Sequence, residues 1–153
     1  MKIPRTFVLS VVVLGLLQLC CHRPVAQAAL PPADLPPVLL KGFSLFPTGG
    51  PESALEMWRQ GGLLEGDRRA EELGEYFKRT VRSLRNYRSY ELVESKFIGQ
   101  SSRIVYLAIL FERGAIYARF QLFKSDRQWV VQNMDFNLRP EAVMPWLAFE
   151  GGN

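Results

Sequence analysis

The stretch RIVYLAILF-ERG-AIYARFQLF-KSDR-QWVVQNMDF, residues 103–136, carries the fold. It holds three apolar runs, rich in β-branched and aromatic residues, separated by connections of three or four polar or glycine residues. Such connections are too short for a crossover between parallel strands, so the runs are antiparallel neighbours. A fourth run of the same kind, Tyr87 to Ile98, precedes them across Gly99-Gln100-Ser101-Ser102. The pattern predicts a four-stranded antiparallel meander over about 87–98, 103–111, 115–123 and 128–136. The run Ile104-Val105-Tyr106-Leu107-Ala108-Ile109-Leu110-Phe111 is apolar at both parities, which predicts a central strand covered on both faces. A homodimer partner is one candidate for the second cover. Downstream, Asn137-Leu138-Arg139-Pro140-Glu141 opens a last turn or short helix through Ala142, Val143 and Met144, and Pro145 stops it.

Upstream of the meander the apolar period changes from two to nearly four. Gly50-Pro51-Glu52 reads as a helix start, with proline where its missing N–H is harmless and an acid favourable to the dipole. Ala54, Leu55 and Trp58 share a face, and Gly61-Gly62 ends the helix. Asp67 is placed as the N-cap of a longer helix in which Ala70, Leu73, Phe77, Val81 and Leu84 form one buried stripe. The segment from Ala29 to Pro51 contains six prolines, at 31, 32, 36, 37, 47 and 51. That density predicts an extended tether or strapped-down arm over 29–50, with Phe43, Leu45 and Phe46 touching the domain. One α+β domain is expected over 51–149, with a tail at 150–153.

Residues 1–28 have the three parts of a secretory signal: Lys2 and Arg5, an apolar run from Phe7 to Leu19, and the small-x-small site Ala26-Gln27-Ala28. The apolar run is shorter than the roughly 20 residues that cross a bilayer as a helix, so no transmembrane anchor is expected. Cleavage near Ala28 predicts an exported protein, periplasmic or secreted. The rival is lipidation at Cys20 or Cys21, but Leu19 stands where a lipidation signal has a small residue. Removal of the signal takes away both cysteines and the single histidine. It also removes Lys2, Arg5 and Arg23, so 19 basic residues become 16 against 15 acids and the formal charge falls from +4 to +1. A nearly neutral domain gives no electrostatic reason to expect nucleic acid or an anionic membrane as partner.

Two helices, a long antiparallel meander ending in the strand Trp129-Val130-Val131-Gln132, and a closing Pro140-Glu141 segment together resemble the NTF2-like superfamily, also called the cystatin-like α+β cone. The resemblance implies N-terminal helices packed on a curved four-stranded sheet around a conical pocket, often in a dimer. It also implies that polar pocket residues carry any chemistry. Tyr117, Arg119 and Gln121 share one parity on the third strand; Asn133 and Asp135 share one parity on the fourth, taken together with Trp129 and Val131. Facing the cone's interior, these residues would line a binding site and supply the candidate catalytic groups Asp135, Tyr117 and Arg119. Facing water, Arg119 and Asp135 would be an ordinary cross-strand ion pair.

Without histidine or cysteine, the processed chain has no Ser-His-Asp or Cys-His catalysis, no thiol redox chemistry and no zinc site built on those ligands. No phosphate-binding glycine signature is present, and no cofactor or metal is expected. The series Lys78, Arg79, Arg82, Arg85 and Arg88 follows Glu71, Glu72 and Glu75 along one helix, the order its dipole favours, and is read as a solvated face. Trp146 and Phe149 are either a lid over the core or an exposed anchor. The expected function is a non-enzymatic exported module that binds a small apolar ligand or a protein partner. The alternatives are a histidine-independent lyase or isomerase with Asp135 as base, and a structural envelope accessory protein.

Overall fold

A computed structural model describes residues 35–146. The signal segment with Cys20, Cys21 and His22, the stretch 29–34, and Leu147 to Asn153 lie outside the described residues. The elements run α1 (Pro37–Arg59), α2 (Arg68–Leu84), β1 (Tyr87–Ile98), β2 (Ser102–Phe111), β3 (Gly114–Ser125), β4 (Gln128–Asn137) and α3 (Pro140–Val143). All four strands pair antiparallel in the order β1-β2-β3-β4. This is the α+β meander expected from the sequence, in the element order that the NTF2-like resemblance implies.

The segment expected as an extended arm is different: the chain is helical from Pro37 onward. Pro36 and Pro37 cap and open the helix, where a missing N–H costs nothing. Leu39, Gly42, Phe43 and Phe46, spaced three and four apart, are buried along one face. Proline density masked that period. The helix breaks at Gly50, whose φ of 66° and ψ of −167° suit glycine, and Pro51 restarts it as the sequence predicted. The break turns the chain back, so that Trp58 donates its indole N–H to the Leu39 carbonyl at 3.5 Å. The folded body therefore begins well before Pro51.

In α2, Asp67 Oδ1 accepts the Ala70 N–H at 2.8 Å, which is the predicted N-cap. The helix buries Ala70, Gly74, Phe77 and Val81. One face of β2 presents Val105, Leu107 and Ile109 to the helices, fully buried. On its other face Tyr106 packs with Val143, Met144 and Trp146. The second cover of the central strand is thus supplied by the chain's own C-terminal segment.

A bulge in β4 revises the parity expected from the sequence. Gln121 pairs with Asn133 and Leu122 with Val131, so Gln132 is the extra residue. Trp129 and Val131 lie on the helix side of the sheet, with Met134 and Phe136 beyond the bulge. Asn133 and Asp135 pair with Gln121 and Arg119 on the opposite, outer face. A strict period of two does not survive an inserted residue, which is why Asn133 and Asp135 part company with Trp129 and Val131.

Candidate functional site at the open end of the sheet

The space between helices and sheet is filled with rings. Trp58 is fully buried and meets Phe43 and Phe120 at centroid distances of 5.0 Å, with Phe46, Phe77 and Phe136 within 6.4 Å. Phe77 stacks on Phe136 at 4.3 Å, and Phe46 stacks on Tyr87 at 4.6 Å. Gly42 sits so close to the indole that a Cβ there would lie 1.9 Å from Trp58 Nε1. Burial pushes the Tyr87 phenol up to about 12 and, more weakly, raises that of Tyr90. The centre of the cone is a close-packed aromatic core, and a ligand there would have to displace protein atoms.

The polar residues singled out in the sequence come together, but on the outer face. Arg119 donates from Nε to Asp135 Oδ2 at 3.0 Å and a second time from an Nη to the same oxygen. Both side chains are about a third exposed, and such a pair stabilises by at most about 1 kcal/mol. Gln121 and Asn133 are paired neighbours one row away, and Tyr117 pairs with Asn137. Tyr117 packs against the cluster of Tyr106, Val143 and Met144. The structure therefore joins Arg119 to Asp135 as a cross-strand ion pair and leaves neither facing the helix side. Trp129 stands apart, at 6.2 Å from the Phe97 ring on the inner side. There the buried Arg103 donates from Nε to Ser95 Oγ at 2.7 Å, with its guanidinium 4.8 Å from the Phe97 ring. Among the described residues no group of three or more carboxylates gathers as a cation site.

A different set of residues, not singled out in the sequence, is apolar and open to water. At the end of the sheet formed by the β1–β2 and β3–β4 connections, one row runs Ile98, Ser102, Phe123, Val130 across all four strands. Directly paired residues project to one face, so this row forms a strip on the outer side. Ile98 is 57% exposed, Phe123 42%, and the adjoining Leu63 72%. Leu63, Phe123, Val130 and the Gly61-Gly62 turn line a cleft of about 330 Å³. A Cβ on Gly62 would lie 2.6 Å from the Val131 carbonyl oxygen, so glycine lets the turn lie against the β4 edge and present Leu63 beside the strip.

One solved structure is similar to part of this chain. It is a Campylobacter jejuni protein named as an NTF2-like transpeptidase, 14% identical, with a TM-score of 0.44 over 61% of this chain and 92% of that one. No protein-family model matches the chain, and no curated protein does. The linear sequence hides the strip, because its members lie on four strands and a turn and only the register aligns them. The signal within reach was the exposed apolar ending Phe97-Ile98 of a strand that otherwise alternates with charge.

Proposed function

We propose that the protein is an exported, non-enzymatic module that binds a protein partner through the apolar strip at the open end of its sheet. The ring-filled centre supports this reading over a small apolar ligand held there, because Trp58 and its neighbours occupy that space. Export comes from the signal-like residues 1–28 and is part of the proposal. The pairing of Asp135 with Arg119 speaks against a free general base there, since that carboxylate already accepts two hydrogen bonds from a cation. Exposed contiguous apolar residues on a single chain mark interaction sites. In this strip Phe123 is the aromatic anchor, with Ile98, Val130 and Leu63 around it.

The test is site-specific photocrosslinking in the native host. A photoreactive phenylalanine analogue at position 123 is expected to give one discrete higher-mass adduct, and the same analogue at Glu72 none. Leu63→Asp is expected to abolish the adduct while the protein stays folded. Equal adducts at both positions, or an adduct indifferent to Leu63→Asp, would refute the assignment.

A further inference from the structure

The opposite end of the sheet has a different character. Strands of ten or more residues put it roughly 33 Å from the apolar strip. There the last turns of α2, the start of β1 and the β2–β3 turn converge: Arg113 N–H donates to the Leu84 carbonyl at 3.2 Å, and Glu112 N–H to the Asn86 carbonyl at 3.0 Å. These contacts bring Arg113 to the run that already carries Arg79, Arg82, Arg85 and Arg88. All five arginines are exposed. None has an ion pair with another described residue. Of the nearby acids, Glu112 accepts a hydrogen bond from Asn86, and Glu75 is held by Lys78 and lies in the fields of Arg82 and Arg79, which together pull its carboxyl below the usual range. The near-neutral sum of charges hides a strongly cationic end.

The dipole of α2 does not account for the cluster. Its effect fades beyond the last turn, whereas Arg88 lies in β1 and Arg113 in a turn. Arg85 is more telling still. It takes φ 68° and ψ −142° just after the helix, a conformation nearly reserved for glycine, so the chain keeps a guanidinium where glycine would relieve strain. Apart from Lys78, which is paired with Glu75, the basic residues gathered here are all arginine. A guanidinium fork matches phosphate oxygens two at a time, which a solubilising charge does not require. The five sit on a helix end, a strand start and a turn, an end-on arrangement suited to a flat surface. Tyr87, between Arg85 and Arg88, is half-buried and stacked on Phe46, so its ring is not free to stack on bases.

We propose that this end is a docking surface for the phosphate headgroups of an anionic lipid bilayer, independent of the partner strip at the far end. Each arginine near such a surface is worth about fivefold in partition, so removal of three is expected to weaken binding about a hundredfold. The test uses protein recovered from cells expressing the full chain, floated with vesicles of 30% phosphatidylglycerol in phosphatidylcholine and with pure phosphatidylcholine. The expected result is binding to the anionic vesicles alone, lost in high salt and lost in the triple variant Arg82→Gln, Arg88→Gln, Arg113→Gln. Arg85→Gly is expected to raise thermal stability while lowering vesicle binding, a split that a structural role would not give. Equal partition into both vesicle types, an unaffected triple variant, or salt-sensitive binding to duplex DNA with none to vesicles would overturn the proposal.

Discussion

Gly42 and Gly74 are both buried in helices, and the structure predicts opposite outcomes when each becomes alanine. Alanine in a helix interior gains about 0.5–1 kcal/mol over glycine from backbone entropy. At Gly74 the added methyl meets only Leu55 Cδ1, at 3.5 Å, an ordinary contact. Gly74→Ala should therefore stabilise by that propensity. At Gly42 the methyl would lie 1.9 Å from Trp58 Nε1, 2.5 Å from Cε2 and 2.6 Å from Cδ1. The indole cannot step aside, because Phe43, Phe46, Phe77, Phe120 and Phe136 surround it. Overpacking of this kind costs about 1–3 kcal/mol, and the depth of overlap argues for the upper end. Subtracting the propensity gain leaves a net destabilisation of about 2 kcal/mol. With a urea m-value of about 1.5 kcal/mol/M, the midpoint should fall by about 1.3 M for Gly42→Ala and rise by about 0.5 M for Gly74→Ala. Urea unfolding followed by tryptophan fluorescence reads both. A Gly42→Ala midpoint at or above wild type would refute the close packing of α1 on Trp58.

Three further outcomes follow from the same structure. Asp67→Ala removes the N-cap of α2 and should cost about 1 kcal/mol in urea unfolding, with Asp67→Asn nearly neutral. The folded state holds the Tyr87 proton to about pH 12, whereas an unfolded tyrosine releases it near its ordinary pKa of 10.0. Stability from this group is thus intact below pH 10 and falls as pH rises toward 12, since the unfolded chain then binds fewer protons. The difference between wild type and Tyr87→Phe, tracked from pH 8 to 12, should open in that window and stay flat below it. Arg119→Gln with Asp135→Asn should change stability by no more than about 1 kcal/mol, as a half-exposed pair allows, and a loss of several kcal/mol would show the pair to be more than a surface contact.

Much of the fold was legible in the residues. Strand limits followed from polar turns between apolar runs, and the doubly apolar β2 sequence foretold a covered central strand. Asp67 announced its cap. The proline-rich segment misled because proline argues against helix in the interior, yet Pro37 and Pro51 sit at helix starts and Pro47 lies just ahead of the break at Gly50. Alternation failed at Gln132, where one inserted residue moved Asn133 and Asp135 to the outer face. The apolar strip was beyond a linear reading, whereas the arginine run at 79–88 was visible and only the addition of Arg113 was not. Strand register aligns the strip, and the turn contact between Arg113 and Leu84 joins Arg113 to the run.

The claim on which the rest depends is that protein side chains, not a binding cavity, occupy the centre of the cone. Genuine apolar cavities take up xenon or benzene, so xenon titration followed by NMR reports directly on empty volume. Leu39→Ala, which removes a fully buried side chain beside Trp58, provides a cavity-bearing control. The wild-type Trp58 indole N–H resonance should show no saturable xenon shift, while the Leu39→Ala protein does. A saturable shift in the wild type would place an unfilled pocket inside the cone and return the small apolar ligand to first place.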